Sequence, residues 1–382
     1  MRLVYPLLWS QPDRKACREQ SVNTAAALAR LGVEVTLMLP RGSDDPAIGA
    51  DALRDYFHVE GDFRVIQRPS RWVGDGILPS SMWMRQVFRD PELASFDLIF
   101  SRIPAMLAAG GGSPLPFATD HYKPWPDALP PIRPFIRRTA KRRRCLGLVV
   151  HSRFAAESYR RIGVAEDKLL VAHNGADPSR MLPRLSREQA RFRLGLPVER
   201  PIAVYAGRVN AMKGLDQLLS MADLRPDMSF LLVGSEGEGE MERKAAARSN
   251  VTIVAWQSPA ELPLYLYAAD VLVIPPSRAP LEQFGNCVLP LKTFAYLAAG
   301  RPILAPDLPD TAELLADGKN AMIVPADDPQ AAVAALDRIV GDAALATRLG
   351  EGASATAQAL SWDSRAARIA SFLDFGLARI AM

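Results

Sequence analysis

GRVNAMKG, residues 207–214, follows the apolar run IAVYA at 202–206 and precedes the helix-like stretch LDQLLSMADL at 215–224. A chain that leaves a buried strand and at once presents Arg208 and Lys213 between glycines points to an anion. A guanidinium and an ammonium there can converge on a diphosphate at a helix start, where charge-assisted bonds and the helix dipole act together. The motif is not a P-loop, because Met212 and Gly214 flank the lysine where that loop needs Gly and then Ser or Thr. It also lacks the G-x-G-x-x-G of a dinucleotide site. GSEGEGE at 234–240 is glycine-rich, but its three glutamates would repel a diphosphate, and GGG at 110–112 reads as a plain loop. Taken alone, Arg208 and Lys213 are equally compatible with ordinary surface cations at a strand end.

Working outward, short β-branched runs alternate with helical patterns. The first half has runs at 2–5, 33–39, 64–66, 97–100, 117–119, 146–150 and 169–172, and the second at 202–206, 230–233, 251–254, 271–274, 302–305 and 321–324. Between the first two, SVNTAAALARLG carries Val22, Ala25, Ala26 and Ala29 on one face and ends at Gly32. In SPAELPLYLYAA, Ser258 is placed to cap and Pro259 to take the first helical position. Strands apolar on both faces, alternating with helices, predict parallel sheets covered on both sides. Two such series predict an α/β protein of two doubly wound Rossmann-like domains facing across a cleft. The expected boundaries are 1–177 for the first domain, 178–200 for a polar, proline-punctuated linker, 201–360 for the second domain and 361–382 for a C-terminal helix. Ligands of such sheets bind outside the carboxyl ends of the strands.

Composition agrees with that organisation. The 382 residues suit two domains better than one core, and a formal charge of +4 does not by itself argue for nucleic acid. Cys17, Cys145 and Cys287 are widely spaced and odd in number, which suggests neither a disulfide framework nor a zinc site and makes a reducing cytoplasm the simplest home. The opening MRLVYPLLW is short, is interrupted by Pro6 and lacks a cleavage pattern, and no apolar stretch is long enough to span a bilayer.

The motifs in their order are more specific than any one alone. VYAGRVNAMKGLDQLL, FLLVGSEGE, LEQFGN and PLKTFAYLAAGRPILAPDLPDTAELLADGKNAMIVPADDP together closely resemble the nucleotide-binding half of retaining glycosyltransferases of family 4. VVHSRFAAESYRRIGVAEDKLLVAHNGAD at 149–177 and LSWDSRAARIASFL extend the resemblance over nearly all of 145–375. It implies a GT-B fold, a nucleotide-diphosphate sugar as donor with UDP or GDP as carrier, and transfer with retention. No cofactor is implied, and no Asp-x-Asp occurs, which fits a metal-independent transferase.

By position, Arg208 and Lys213, with Gly207 and Gly214, match the residues that hold the departing diphosphate. Glu282 in LEQFGN matches the family's first carboxylate, which meets donor-sugar hydroxyls, with backbone amides at Phe284, Gly285 and Asn286 beside it. Leu291, Lys292 and Ala295 complete the expected donor wall. Ala295 stands where the family usually has a second glutamate for the ribose, and Glu282, Asn286 and Lys292 are the nearby polar candidates to replace it. His121, after the run at 117–119, lies where many relatives place an active-site histidine able to donate a hydrogen bond or pass a proton. Arg18, Tyr122, Lys123 and Trp125 are the expected acceptor side, with Trp72 and Trp83 as further stacking candidates.

RPFIRRTAKRRRC at 133–145 holds seven basic and no acidic residues. Two readings stay open, a solvated basic helix and a face that docks peripherally on the anionic inner surface of the cell membrane. Nucleic acid is disfavoured because no aromatics interleave with the charges. The activity expected is transfer to a lipid-linked or saccharide acceptor in cell-envelope synthesis. The rivals are a non-hydrolysing sugar-nucleotide epimerase and a catalytically impaired carbohydrate- or lipid-binding protein of the same fold.

Overall fold

A computed structural model describes residues 1–74, 76–284 and 290–381. All thirteen runs read from the sequence form strands, and every strand pair is parallel. They fall into two sheets belonging to two compact units, residues 1–174 with 362–382 and residues 175–361.

The first unit holds β1 (Arg2–Pro6), β2 (Glu34–Arg41), β3 (Arg64–Pro69), β4 (Leu98–Ser101), β5 (Phe117–His121), β6 (Cys145–Val150) and β7 (Leu169–Val171), ordered β3-β2-β1-β4-β5-β6-β7. The second holds β8 (Ile202–Ala206), β9 (Ser229–Ser235), β10 (Val251–Ala255), β11 (Val271–Val273), β12 (Ile303–Pro306) and β13 (Met322–Val324), ordered β10-β9-β8-β11-β12-β13. In both sheets the direction of winding reverses once, between β1 and β4 and between β8 and β11. Such reversals open a crevice at the carboxyl ends of the two strands concerned.

The period-two alternation of a strand is visible in β8. Ile202, Val204 and Ala206 enter one buried cluster with Phe294, Tyr296 and Leu297, while Ala203 and Tyr205 enter another with Leu215, Leu218 and Phe230. Both faces are therefore covered, as the unbroken apolar run predicted.

Three local expectations are corrected. Residues 178–200 are not a free linker, because they belong to the second unit and carry the helix Arg187–Leu194. Arg191 from that helix is buried, with its guanidinium bonded to Asp270 and to the Ala268 carbonyl at 2.9 Å. A charged side chain provided with partners can be buried, so the polarity of this stretch misleads. The helix expected from Pro259 is regular only over Leu262–Ala268, after a turn at 259–261, although Ser258 does cap as expected, its hydroxyl accepting from Glu261 N at 3.3 Å while Glu261 accepts from Ser258 N at 3.4 Å. GGG at 110–112 is a 3₁₀ turn, and Gly110 packs so tightly on Phe117 that a Cβ would lie 2.7 Å from its ring.

The C-terminal helix Trp362–Ala381 belongs to the first unit. It packs on the helix Ala16–Arg30 and on β6, burying Ala366, Ile369 and Leu373.

Candidate functional site

In the second unit the reversal between β8 and β11 gathers the residues of interest. Gly207 leaves β8 with φ 144°, and its amide donates to Val233 O at 2.9 Å. A Cβ on Gly234 would stand 2.5 Å from Gly207 O, so the turns after β8 and β9 touch backbone to backbone. The chain then makes a 3₁₀ turn, Ala211–Lys213, and enters the helix Leu215–Leu224 through Gly214 at φ 69°. A Cβ at Gly214 would meet Ser277 Cβ at 2.4 Å. Glycine is thus required there twice, by the left-handed backbone and by the loop from β11 pressed against it.

Arg208 is half-exposed, and its Nε lies 3.6 Å from Glu236 Oε1. The glutamate read as hostile to a diphosphate is therefore a counter-charge for Arg208. Lys213 is half-buried, and burial followed by the Arg208 charge lowers its pKa. Glu282 is exposed on the short helix Ala279–Phe284, which packs against the Lys213 turn. The fold thus brings Arg208, Lys213 and Glu282 to one end of the sheet. The expected amides at Gly285 and Asn286, and Cys287, lie outside the described residues, as does the Phe284 side chain.

The helix Leu291–Ala299 supplies a third cation. Lys292 is half-buried, and its Nζ lies 3.8 Å from the Tyr205 ring centroid and 3.0 Å from where a Gly207 Cβ would be. Dense packing, then the neighbouring Lys213, hold its pKa well below the ordinary lysine value. Tyr205 and Tyr296 frame this corner. Tyr205 donates to Arg208 O at 2.8 Å, and Tyr296 accepts from Ala206 N at 2.6 Å. Ala295, one helical turn after Lys292, is half-buried against the core. The tyrosines were not singled out in the sequence because aromatic residues in apolar runs read as core.

In the first unit His121 ends β5, is buried, and has no partner at Nε2. Burial pushes its pKa down to about 3, so the ring is neutral near pH 7. Its ring meets Trp125 edge-on with centroids 6.5 Å apart. Tyr122 lies between Arg102 and Lys123, whose charges stand 5.8 and 5.9 Å from its ring centroid, and Lys123 also covers Trp125 at 5.6 Å. Those three expected acceptor residues therefore cluster beside His121. Arg18 is elsewhere engaged, bonded to Asp13 at 3.0 Å and to the Gln11 carbonyl and lying 5.5 Å over Trp9. Trp83 is fully buried core, and Trp72, half-buried, packs on the same cluster with Arg71 4.8 Å over its ring.

Beneath His121 lies a polar network that the sequence did not reveal. Asp120, fully buried, accepts from Gln20 at 3.0 Å, His151 at 2.8 Å and Arg365 at 2.8 Å. Arg365 also reaches Thr24 at 3.0 Å. Burial opposes the Asp120 charge, but Arg365 and His151 outweigh it and hold the carboxyl well below the usual range. At His151 burial prevails over the attraction and hydrogen bond of Asp120 and lowers the pKa to about 4. Arg365 is 245 residues from Asp120 in the chain, and no local pattern links them.

The basic run forms the helix Arg133–Ala140 and the turn after it. Ile136, Thr139 and Ala140 face inward, while its seven cations and Phe135 are exposed. Arg143 donates to Ile380 O at 2.5 Å and Arg144 to Ser113 O at 3.1 Å. Among the described residues no helix is long and apolar enough to cross a membrane.

Comparison with known proteins bears on this geometry. The sequence profile described as glycosyl transferases group 1 matches residues 186–356, and that of glycosyltransferase family 4 matches residues 20–180. A D-inositol 3-phosphate glycosyltransferase of Streptomyces avermitilis is 33% identical over 233 residues, covering 56% of this chain and 48% of the relative. The chain spans about half the length of the curated relatives it matches. In structure it is similar to sucrose-phosphate synthase from Thermosynechococcus elongatus, with TM-score 0.74, 18% identity and 99% of both chains covered. It is also similar to Anabaena HepE in complex with UDP, with TM-score 0.75, 15% identity, and 98% and 100% of the two chains covered. One profile lies within the second unit and the other covers most of the first, and the similarity to the solved structures extends over nearly the whole chain. The chain belongs to the family 4 type of glycosyltransferases and has their GT-B fold of two Rossmann-like units.

Proposed function

We propose that the protein transfers a sugar, with retention, from a nucleotide-diphosphate sugar bound on its second unit to a hydroxyl of an acceptor bound on its first. The observation that carries this reading is the convergence of Arg208, Lys213 and Lys292 at the carboxyl end of β8, beside the Gly207 backbone. HepE, of similar fold, has been crystallised with UDP and with UDP-glucose, which makes UDP-sugars the first donors to test.

The chemistry follows from charge. As the anomeric C–O bond breaks, the electron pair passes to the diphosphate, and fixed cations there stabilise the developing charge more than they stabilise the ground state. The acceptor oxygen bonds to the anomeric carbon on the same face, and its proton passes to the departing diphosphate oxygen. No metal, cofactor or protein nucleophile is required. His121, neutral and with Nε2 unpartnered, serves as a hydrogen-bonding group for a sugar hydroxyl, and Glu282 as an acceptor from donor-sugar hydroxyls. Tyr122, Lys123 and Trp125 form the acceptor wall, and the cationic character of that wall, with Arg102, suits an acceptor carrying negative charge. The relatives named for D-inositol 3-phosphate make a phosphorylated cyclitol the first acceptor to test, ahead of lipid-linked and saccharide acceptors of the cell envelope. The exposed basic helix with Phe135 supports docking on an anionic membrane surface facing the cytoplasm.

A thermal-shift screen over nucleoside diphosphates and their sugars, followed by product analysis with each acceptor class, tests the reading. Stabilisation by a nucleoside diphosphate together with a glycosylated product of retained configuration is expected. Stabilisation without hydrolysis or transfer from any donor would favour the second reading, a binding protein of the same fold, for which Ala295 is the specific observation.

A further inference from the structure

Lys292 occupies a position that is unfavourable for a cation in three independent ways. It is the second residue of the nine-residue helix Leu291–Ala299, at the positive end of the helix dipole. Its ammonium is enclosed by the Tyr205 ring, 3.8 Å from the centroid, and by the backbone of Gly207. Its charged neighbour is a like charge, Lys213, and among the described residues no carboxylate stabilises it. The Tyr205 face recovers only part of this loss. Each disadvantage reverses opposite a polyanion, because helix dipole, low local polarity and neighbouring cation then act on the ligand in the same direction.

The rest of that helix has a different character. After Lys292 come Thr293 and Phe294, both buried, then Ala295, then Tyr296, whose hydroxyl is committed to Ala206 N and lies 3.4 Å from Val273 O. A sugar diol is held best by a carboxylate accepting both hydroxyls, and this helix has none. Its polar contribution to the site is a single positive charge.

We propose that Lys292 is a third phosphate-binding cation, and that the site grips its nucleotide chiefly by the diphosphate and discriminates weakly among nucleosides. This rests on the reading of the β8 end as the donor site and deepens it. A side chain at Gly207 would meet Lys292 Nζ and the Tyr205 hydroxyl, each at 3.0 Å, so the bare backbone there leaves room for the ammonium. Together with Arg208 and Lys213, Lys292 surrounds a diphosphate from the β8 turn and from the helix Leu291–Ala299 at once. Specificity for the base then has to come from elsewhere or be low.

Calorimetric titration of the full chain with inorganic pyrophosphate, UDP, GDP, ADP and uridine reads this directly. Pyrophosphate and the three nucleoside diphosphates are expected to bind within about tenfold of one another, and uridine at least a hundredfold more weakly. Lys292→Met should weaken pyrophosphate and UDP by a common factor of about tenfold or more. Without added ligand the same variant should melt at or above the wild-type temperature, since it removes an uncompensated charge. UDP binding more than a hundredfold tighter than pyrophosphate in the wild type would overturn the proposal. So would Lys292→Met retaining both affinities, or losing them with a lower melting temperature, which would make Lys292 a structural partner of Tyr205. Pyrophosphate binding is measured without any sugar transfer, so the two readings fail separately. If donors turn over but Lys292→Met binds normally, only this inference falls. If Lys292→Met loses pyrophosphate but no sugar nucleotide is consumed, only the transferase reading falls.

Discussion

Arg365, on the C-terminal helix, and Asp120, at the end of β5, form a fully buried ion pair 2.8 Å apart. The pair ties the last helix of the chain to the strand that also carries His121. It has energetic consequences because breaking a buried pair from one side leaves a charge without compensation, which costs about 3–5 kcal/mol. Arg365→Met should therefore destabilise the first unit by that order in urea denaturation, and pairing it with Asp120→Asn should recover a large part. A double variant no more stable than the single one would show that the helix is held by packing alone.

Acid should weaken the protein through the same network. His121 and His151 have folded pKa values of about 3 and 4, against 6.5 for a free histidine. Below pH 6.5 the unfolded chain therefore binds protons that the folded chain refuses, and stability falls as pH drops. Asp120 acts in the same direction, since its lowered pKa contributes stability that is lost only in stronger acid. Each histidine contributes a slope of about 1.4 kcal/mol per pH unit once pH lies between the two values. Urea midpoints measured from pH 7 to pH 4.5 should show this fall, and His121→Gln should remove one histidine's share of it. Arg102, Arg365 and Tyr5 are the other charged or titratable groups that border the pair.

At the donor end, Arg208→Ala and Lys213→Ala should each lower turnover by about a hundredfold or more, because each removes a charge placed where negative charge develops. The fold should survive, since Arg208 is half-exposed and Lys213 is a cation disfavoured first by burial and then by the Arg208 charge. Steady-state rates with a donor that the wild type consumes provide the check, and near-normal rates in both variants would refute the assignment.

Gly214→Ala provides a structural control for that turn. A side chain there meets both a φ of 69° and Ser277 Cβ at 2.4 Å, and a strained left-handed residue alone costs about 1–3 kcal/mol. Denaturation should show at least that loss. An unchanged midpoint would mean that the turn relaxes freely.

For the membrane, the structure selects which cations to change. Arg137, Arg138, Lys141, Arg143 and Arg144 are all exposed, but Arg143 and Arg144 also serve the fold through the Ile380 and Ser113 carbonyls, which leaves Arg137, Arg138 and Lys141 as the residues to change. Replacing these three with Ser should reduce co-sedimentation with anionic vesicles at no cost in stability. The attraction is about 1 kcal/mol per basic residue near the surface, and raising the salt should weaken wild-type binding because the Debye length is only about 8 Å at physiological ionic strength. Binding that ignores both changes would leave a solvated basic helix.

The sequence by itself determined the elements and their arrangement in layers. Apolar runs such as residues 202–206 and 146–150 can be buried on both faces only in a parallel sheet under helices, and their number gave two sheets. It also determined the identity of the cations after β8, since glycines and charges at a strand end carry a local chemical meaning. Tertiary structure alone decided which charges meet. Asp120 finds Arg365 across 245 residues, Glu236 turns out to serve Arg208, and residues 178–200 fold onto the second unit through Arg191 and Asp270. It also decided that Lys292 lies over Tyr205 beside Gly207. The physical reason is the range of the signal. Hydrophobic periodicity and turn chemistry are written within a dozen residues, whereas the partner of a buried charge is chosen by the packing of whole elements.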